Sequence, residues 1–161
     1  MSPPTIWGPA VWSLFHTFAN KIPDNLPSVI YLSFFRQIKN ICSVLPCPEC
    51  ANDATKFLAN IPETRIATKE NLIYELYIFH NYVNKKKQKP LFLFSNLDIY
   101  NNSDIYSVFR HFLNNFHTRG NMKLLTESFQ RQLILKKFKS WFRMNIQFFL
   151  SRPPYFTPLK I

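Results

Sequence analysis

The chain has 161 residues, 47% hydrophobic and 17% aromatic, which is enough for a packed core and too apolar for a disordered tail. Its formal net charge is +11, which favours anionic partners without choosing among cofactor phosphates, nucleic acid, acidic proteins and lipid surfaces. Two glycines against twelve prolines argue against a nucleotide fold built on Gly-rich turns, and three cysteines exclude a disulfide-stapled scaffold.

The chain opens Met1-Ser2-Pro3-Pro4 with no charged segment leading into an apolar one, so no secretory signal is expected. No stretch approaches the roughly 18 consecutive apolar residues of a membrane span. A cytoplasmic location is the expectation. A bound nucleotide cofactor would have to be held by side chains.

A first helix is predicted over residues 9–21, with Pro9 suited to its first turn because the missing N–H costs nothing there. Trp12, His16 and Asn20 then share one face. A second helix is predicted over 27–44, on the stripe of Ile30, Phe34, Ile38 and Ile41. Pro46 interrupts the chain, and a third helix runs from the Cys47-Pro48-Glu49-Cys50 turn to about residue 60. A fourth starts after Thr68, a good N-cap, passes through Leu72, Leu76, Phe79, His80 and Val83, and ends in Lys85-Lys86-Lys87. Amphipathic helices with short connections make an all-α four-helix bundle the expected fold, and no strand-like alternation is visible.

After Pro90 the composition shifts. Residues 1–94 carry 10 basic and 6 acidic side chains, and residues 95–161 carry 10 and 3, which suggests a domain over 1–94 followed by a basic, aromatic-rich helical extension over 95–161. A short fifth helix is predicted over 103–117 with Ser103 as its cap. A long one is predicted over 122–150, with Leu125, Phe129, Leu133, Phe138, Trp141, Phe142 and Phe149 near helical spacing and Pro153-Pro154 as the stop. The plainest role for this extension is packing of its apolar face on the bundle. Docking of a substrate protein or second subunit, contact with an anionic membrane and nucleic-acid binding are sharper readings of the same charges.

Three motifs carry chemistry. The Cys47/Cys50 pair, two residues apart at a helix start, can close into a small ring, and the unpaired N–H groups there stabilise a thiolate. The same spacing serves zinc sites and thioredoxin-like proteins. In His80-Asn81-Tyr82-Val83-Asn84, His80 and Asn84 lie one turn apart on a face that could meet a flat heterocycle, with Lys86 and Lys89 following where a phosphate could extend. In the run from Trp7-Gly8-Pro9 through Trp12 to His16, a ring and a polar edge again share a face. Singly, each has a bland explanation as core aromatics, a structural histidine or a solvated cap.

The order Trp-Gly-Pro-x-x-Trp-x-x-x-His, then Pro-Cys-x-x-Cys, then His-Asn-x-Val-Asn with trailing Lys-Pro resembles the Erv/ALR family of FAD-linked sulfhydryl oxidases, over residues 7–92. The resemblance implies a bundle holding FAD, with Cys50 against the flavin and Cys47 accepting attack from a substrate thiolate. It further implies Trp7, Gly8, Trp12, His16, His80, Asn81, Val83 and Asn84 around the cofactor, Lys86 and Lys89 toward its diphosphate, oxygen as electron acceptor with peroxide as product, and a homodimer. Members with a second, shuttle pair of cysteines relay electrons internally. The remaining cysteine here is Cys42, which reads as a small hydrophobe beside Ile41 and Leu45. Leu58 stands where a structural cysteine is common, and Lys87-Gln88 where an aliphatic and a small residue are common. The pattern is similar to the short oxidases of large DNA viruses, which act on a separate small dithiol protein in the host cytoplasm or the particle, and the abundance of Phe, Asn, Lys and Ile agrees with an AT-rich viral genome. The competing classes are a non-catalytic zinc-binding module using Cys42, Cys47, Cys50 and a histidine, and a nucleic-acid-binding protein with an incidental cysteine pair.

Overall fold

A computed structural model of the protein describes residues 3–116 and 122–150. Six α-helices follow in order, α1 (Pro4–Lys21), α2 (Ser28–Cys42), α3 (Pro48–Ala59), α4 (Lys69–Lys86), α5 (Ile105–Asn115) and α6 (Met122–Met144), with 3-10 segments over Glu63–Arg65, Phe94–Asn102 and Ile146–Phe148. No strand occurs among the described residues. The all-α expectation stands. No described helix is long and apolar enough to cross a membrane.

The first helix starts five residues before its expected position. Pro4, not Pro9, occupies the first turn, and the Pro3 carbonyl accepts from Ile6 and Trp7 N–H. Pro9 therefore lies inside α1 and forfeits the hydrogen bond that its N–H would have given to the previous turn. The gain is that Trp7 and Gly8 become helical and face inward. Cap chemistry places the other starts. Thr68 Oγ1 accepts from Asn71 N–H at 3.1 Å and opens α4 as expected. The fifth helix is capped by Asp104 rather than Ser103, because the Asp104 carboxylate takes both the Ser107 N–H (2.9 Å) and the Ser107 hydroxyl (2.7 Å). The long helix stops at Met144, and a 3-10 turn over Ile146–Phe148 follows. The side chain of Leu125, His117 and the Pro153-Pro154 stop lie outside the described residues.

Packing follows the apolar stripes. α1 lies against α4 and α5, and α2 lies against α3, α4 and α6. Leu14, Phe15, Phe18, Phe34, Phe35, Ile38, Leu72, Leu76 and Phe79 are fully buried between them. Tyr31 pins the α1–α2 connection: its hydroxyl donates to Pro23 O (2.7 Å) and accepts from Leu26 N–H (3.1 Å). The segment after α4 is tied down twice. The Asn81 amide donates to Phe92 O and accepts from Phe92 N–H, and Asn20 and Lys21 reach Asn101 from the end of α1.

Residues of the extension enter the same core. Phe112, Phe116 and Phe138 are fully buried, and Phe138, Trp141, Phe142 and Phe149 surround Phe18 with ring centroids 5.1–6.5 Å apart. Trp141 stacks on Phe34 and donates its indole N–H to Ser33 Oγ at 2.8 Å.

Candidate active site

Cys47 and Cys50 are joined by a disulfide, with Cα atoms 5.2 Å apart. Cys47 is the N-cap of α3, and its sulfur accepts from the Cys50 backbone N–H at 3.2 Å while its carbonyl accepts from Ala51. Pro48, at the first position of α3, has no N–H to satisfy. The local sequence thus directs helix-terminal dipoles at the Cys47 sulfur, where a thiolate would be stabilised once the disulfide opens.

Cys50, but not Cys47, lines an apolar cavity of about 280 Å³ at the meeting of four elements. Trp7, Gly8, Val11, Trp12 and Phe15 of α1 form one wall, and Phe79, Tyr82 and Val83 of α4 form another. Cys42 and Leu45 close it from the end of α2, with Asp53 and Ala54 beside Cys50 on α3. Lys86 and Lys87 stand at its rim. Lys86 is ion-paired with Asp53, and Lys87 Nζ lies 5.8 Å from the Trp7 ring centre. Burial and the nearby Lys89 push the Lys87 ammonium below its ordinary value.

Two features of this cavity fit a planar heterocycle carrying an anionic tail. The Trp7 indole N–H is buried without a hydrogen-bond partner, and such orphaned donors are rare in native cores. A Cβ built on Gly8 would meet nothing within 4 Å, so the helix leaves open space there. Aromatic walls, one free donor and rim ammonium groups are the chemistry such a ligand needs.

The histidines lie behind this wall. His16 Nε2 and His80 Nδ1 are 2.9 Å apart across 64 residues of sequence, and both rings are buried. His80 stacks on Trp12 with centroids 4.0 Å apart, and Phe92 and Tyr100 cover the imidazoles from the segment after α4. Burial, aided by its neighbour His80, lowers the His16 pKa to about 3. Burial and Lys89 lower that of His80 to about 4. At neutral pH both rings are uncharged, so one donates and the other accepts.

Of the residues singled out from the sequence, Trp7, Gly8, Trp12, Cys50, Val83 and Lys86 come together around the cavity. His16 and His80 support Trp12 from behind rather than lining it. The Asn81 amide is committed to Phe92, while Asn84 offers its carbonyl to Lys89 N–H at 2.8 Å, and neither Asn84 nor Lys89 lines the cavity. Asp53, Phe79 and Tyr82 were not singled out for the site, and Lys87 was noted only as a departure from the family pattern. For Phe79 and Tyr82 a signal existed, since both sit one helical step from His80 and Val83, whereas the Asp53–Lys86 pair joins two helices and leaves no local trace.

Cys42 is fully buried and shares the cavity wall with Cys50. Burial alone pushes its thiol well above its ordinary pKa, in keeping with a small hydrophobe. Among the described residues no three His, Cys, Asp or Glu side chains are placed to hold a metal ion.

The family model of the Erv1/Alr family matches residues 9–102 of this sequence. The chain belongs to that family. Its relatives include a protein of Invertebrate iridescent virus 6 whose name assigns it FAD-linked sulfhydryl oxidase activity, 32% identical over 94 residues, which are 55% of this chain and 85% of that protein. FAD-linked sulfhydryl oxidases of two African swine fever virus isolates, one from a tick in Malawi and one from a pig in Kenya, are each 29% identical over 103 residues, 63% of this chain and 86% of theirs. No solved structure matches the chain. The matched span holds both histidines, the cysteine pair and every cavity-lining residue except Trp7 and Gly8, and ends where the segment covering the imidazoles ends.

Proposed function

We propose that the protein is an FAD-dependent thiol oxidase that makes disulfides in protein substrates through Cys47 and Cys50. The observation that carries this reading is the division of labour within one disulfide: Cys50 lies on the wall of the aromatic cavity, while Cys47 caps the helix and lies off that wall. Membership of the family and the names of the viral relatives support it.

The steps at the cysteines follow from this geometry. A substrate thiolate attacks Cys47 Sγ; the new disulfide joins substrate to Cys47, and the electron pair of the broken bond leaves on Cys50 as a thiolate. A second substrate thiolate then attacks the substrate sulfur of that mixed disulfide, closing the substrate disulfide and releasing Cys47 as a thiolate. The N–H of Cys50, which already points at the Cys47 sulfur, stabilises that leaving group. Both electrons now reside on the reduced pair, with Cys50 facing the cavity. FAD bound there would supply the two-electron acceptor that restores the disulfide, with oxygen as the final acceptor and hydrogen peroxide as the product.

Trp7, Gly8, Trp12 and Val83 would hold the ring system, with Trp7 Nε1 as its donor, and Lys86 and Lys87 would neutralise the diphosphate. His16 and His80 hold the Trp12 plane, and Asn81, Asn84 and Lys89 shape the segment that covers them. The third cysteine being buried, relay from bulky substrates falls to a separate small dithiol protein. A homodimer acting in the cytoplasm of an infected cell or within a particle completes the proposal.

The visible absorption spectrum and oxygen uptake with dithiothreitol test this reading. Wild type should carry the flavin bands and consume oxygen, and Cys50→Ala should keep the bands and lose uptake by at least about a hundredfold, as expected when a covalent redox step is removed. A colourless protein that consumes no oxygen after FAD is added would overturn the proposal.

A further inference from the structure

A second depression begins at the turn that carries the cysteines. Leu45, which closes one end of the cavity, also lines a groove of about 450 Å³ with Pro48, Ala51 and Thr55 of α3 on one side and Gln130 and Arg131 of α6 on the other. Val44 and Gln130 belong in turn to a further stretch, of about 540 Å³, that runs along α6 past Leu133, Ile134, Lys136 and Lys137. The two stretches share those two residues and so form one groove. It starts at Pro48, the residue after Cys47, and ends on the basic part of the extension.

We infer that this groove docks the cysteine-bearing segment of the thiol substrate protein, and that this segment carries acidic residues a few positions from its reactive cysteine. The inference rests on the oxidase reading above and names the substrate chemistry of that same site. Three observations carry it. The groove reaches the Cys47 side of the disulfide, where the incoming thiolate must arrive, and not the cavity itself. Past Gln130 it is lined by Leu133, 47% exposed, and the half-buried Ile134, an apolar stretch between the cysteine end and Lys136 and Lys137. Its two ends differ in charge. Near the cysteines Glu127 is paired with the buried Arg131, whose Nε donates to Val44 O at 2.7 Å and so ties α6 to the strand of chain leading into the pair. Beyond Arg131 the sequence through Met144 holds Lys136, Lys137, Lys139 and Arg143 and no acidic residue.

Charge complementarity therefore selects an acidic occupant for the far end. From Arg131 to Lys137 the helix rises about 9 Å, which an extended segment spans in about three residues. The extension in this way adds a specificity element to a chemistry that needs none for small thiols.

The test uses the full chain loaded with FAD and three oxidisable probes: dithiothreitol, a peptide with a Cys-x-x-Cys flanked by four glutamates, and the same peptide with four lysines. Oxygen uptake should show the glutamate peptide preferred over the lysine peptide by about tenfold in kcat/KM at low salt, falling toward parity at 0.5 M salt. Lys136→Glu/Lys137→Glu should abolish or reverse that preference and leave dithiothreitol oxidation within about twofold, since surface charges remote from the reacting sulfurs act on encounter and docking. Lys56→Glu/Arg110→Glu, the same change in net charge off the groove, should keep the preference.

Equal use of both peptides by wild type at low salt, or equal loss from both charge-reversal pairs, would overturn the docking assignment while leaving the oxidase reading intact. If anionic vesicles or duplex DNA bind through Lys136 and Lys137 without any peptide preference, the basic ridge belongs to those partners and the assignment falls. Failure of wild type to oxidise dithiothreitol would instead sink the oxidase reading, and the docking assignment with it. The salt titration needs no variant, so misfolding of a charge-reversed chain does not shelter the idea.

Discussion

At the scale of single residues, the pair His16–His80 shows how burial sets the state of a site. Each imidazole has its pKa pushed down, to about 3 and about 4, chiefly because the charged form would lose water. The unfolded chain binds a proton at these rings below about pH 6.5, the ordinary histidine value, while the folded chain does not. Stability contributed by the neutral pair is therefore complete above that pH and is lost as pH falls toward 4, by about 1 kcal/mol per pH unit for each histidine. Thermal unfolding followed from pH 7 to pH 4.5 should show this loss, and His16→Gln/His80→Gln should show a shallower slope. A double variant with an unchanged slope would mean that other groups govern the acid limb.

The residue types of the site were readable in the sequence, because a Cys-x-x-Cys with Pro46 before it and Pro48 within it, and two ring-bearing motifs, are local patterns. What each residue touches was less so. Asn81 and Asn84 carry the same motif as His80, yet Asn81 spends its amide on the Phe92 backbone, a contact made by a segment eleven residues on that no periodicity announces. Lys87 reached the cavity rim because α4 runs through Lys86 and its C-terminal residue turns there, with Gln88 in the left-handed region at φ 56°.

At the scale of elements, starts were legible wherever one cap stood alone and ambiguous where two stood together. Thr68 had no rival and opens α4. Ser103 and Asp104 are adjacent, and Asp104 prevails because a carboxylate can accept from the Ser107 N–H and hydroxyl at once. Asp104→Ala should fray α5 and lower Tm by about 2–4 °C, whereas Ser103→Ala should leave it unchanged and Asp104→Asn should recover much of the loss. Differential scanning calorimetry of the three variants decides it; equal effects at 103 and 104 would refute the cap. Pro9 misplaced the start of α1 for a related reason. A proline marks the first turn so often that one lying in the sixth position of a helix cannot be told from one at the first, unless Pro3 and Pro4 before it are weighed too.

At the scale of the whole molecule, the extension that composition sets apart from residues 1–94 is joined to them by an aromatic cluster. Helical spacing picked out Phe138, Trp141 and Phe142, but spacing says only that they share a face. That the face meets Phe18 and Phe34 is a contact over more than a hundred residues of chain, fixed by shape and by one hydrogen bond from Trp141 to Ser33. The consequence can be measured. Trp141 is buried, stacked on Phe34 and Phe138, and Trp141→Ala would remove that packing and leave a cavity, at a cost of about 3–5 kcal/mol. Against a total stability of about 5–15 kcal/mol for a single domain, that is a large share, and Tm should fall by about 6–20 °C. Phe129→Ala, on the exposed face of the same helix, should shift Tm by less than about 2 °C. If the two variants unfold alike, α6 contributes nothing to the core and the bundle stands without it. If Trp141→Ala alone falls, the helix that lines the groove beside Cys47 is held there by the core itself, so any partner docking along it meets a rigid wall rather than a tethered arm.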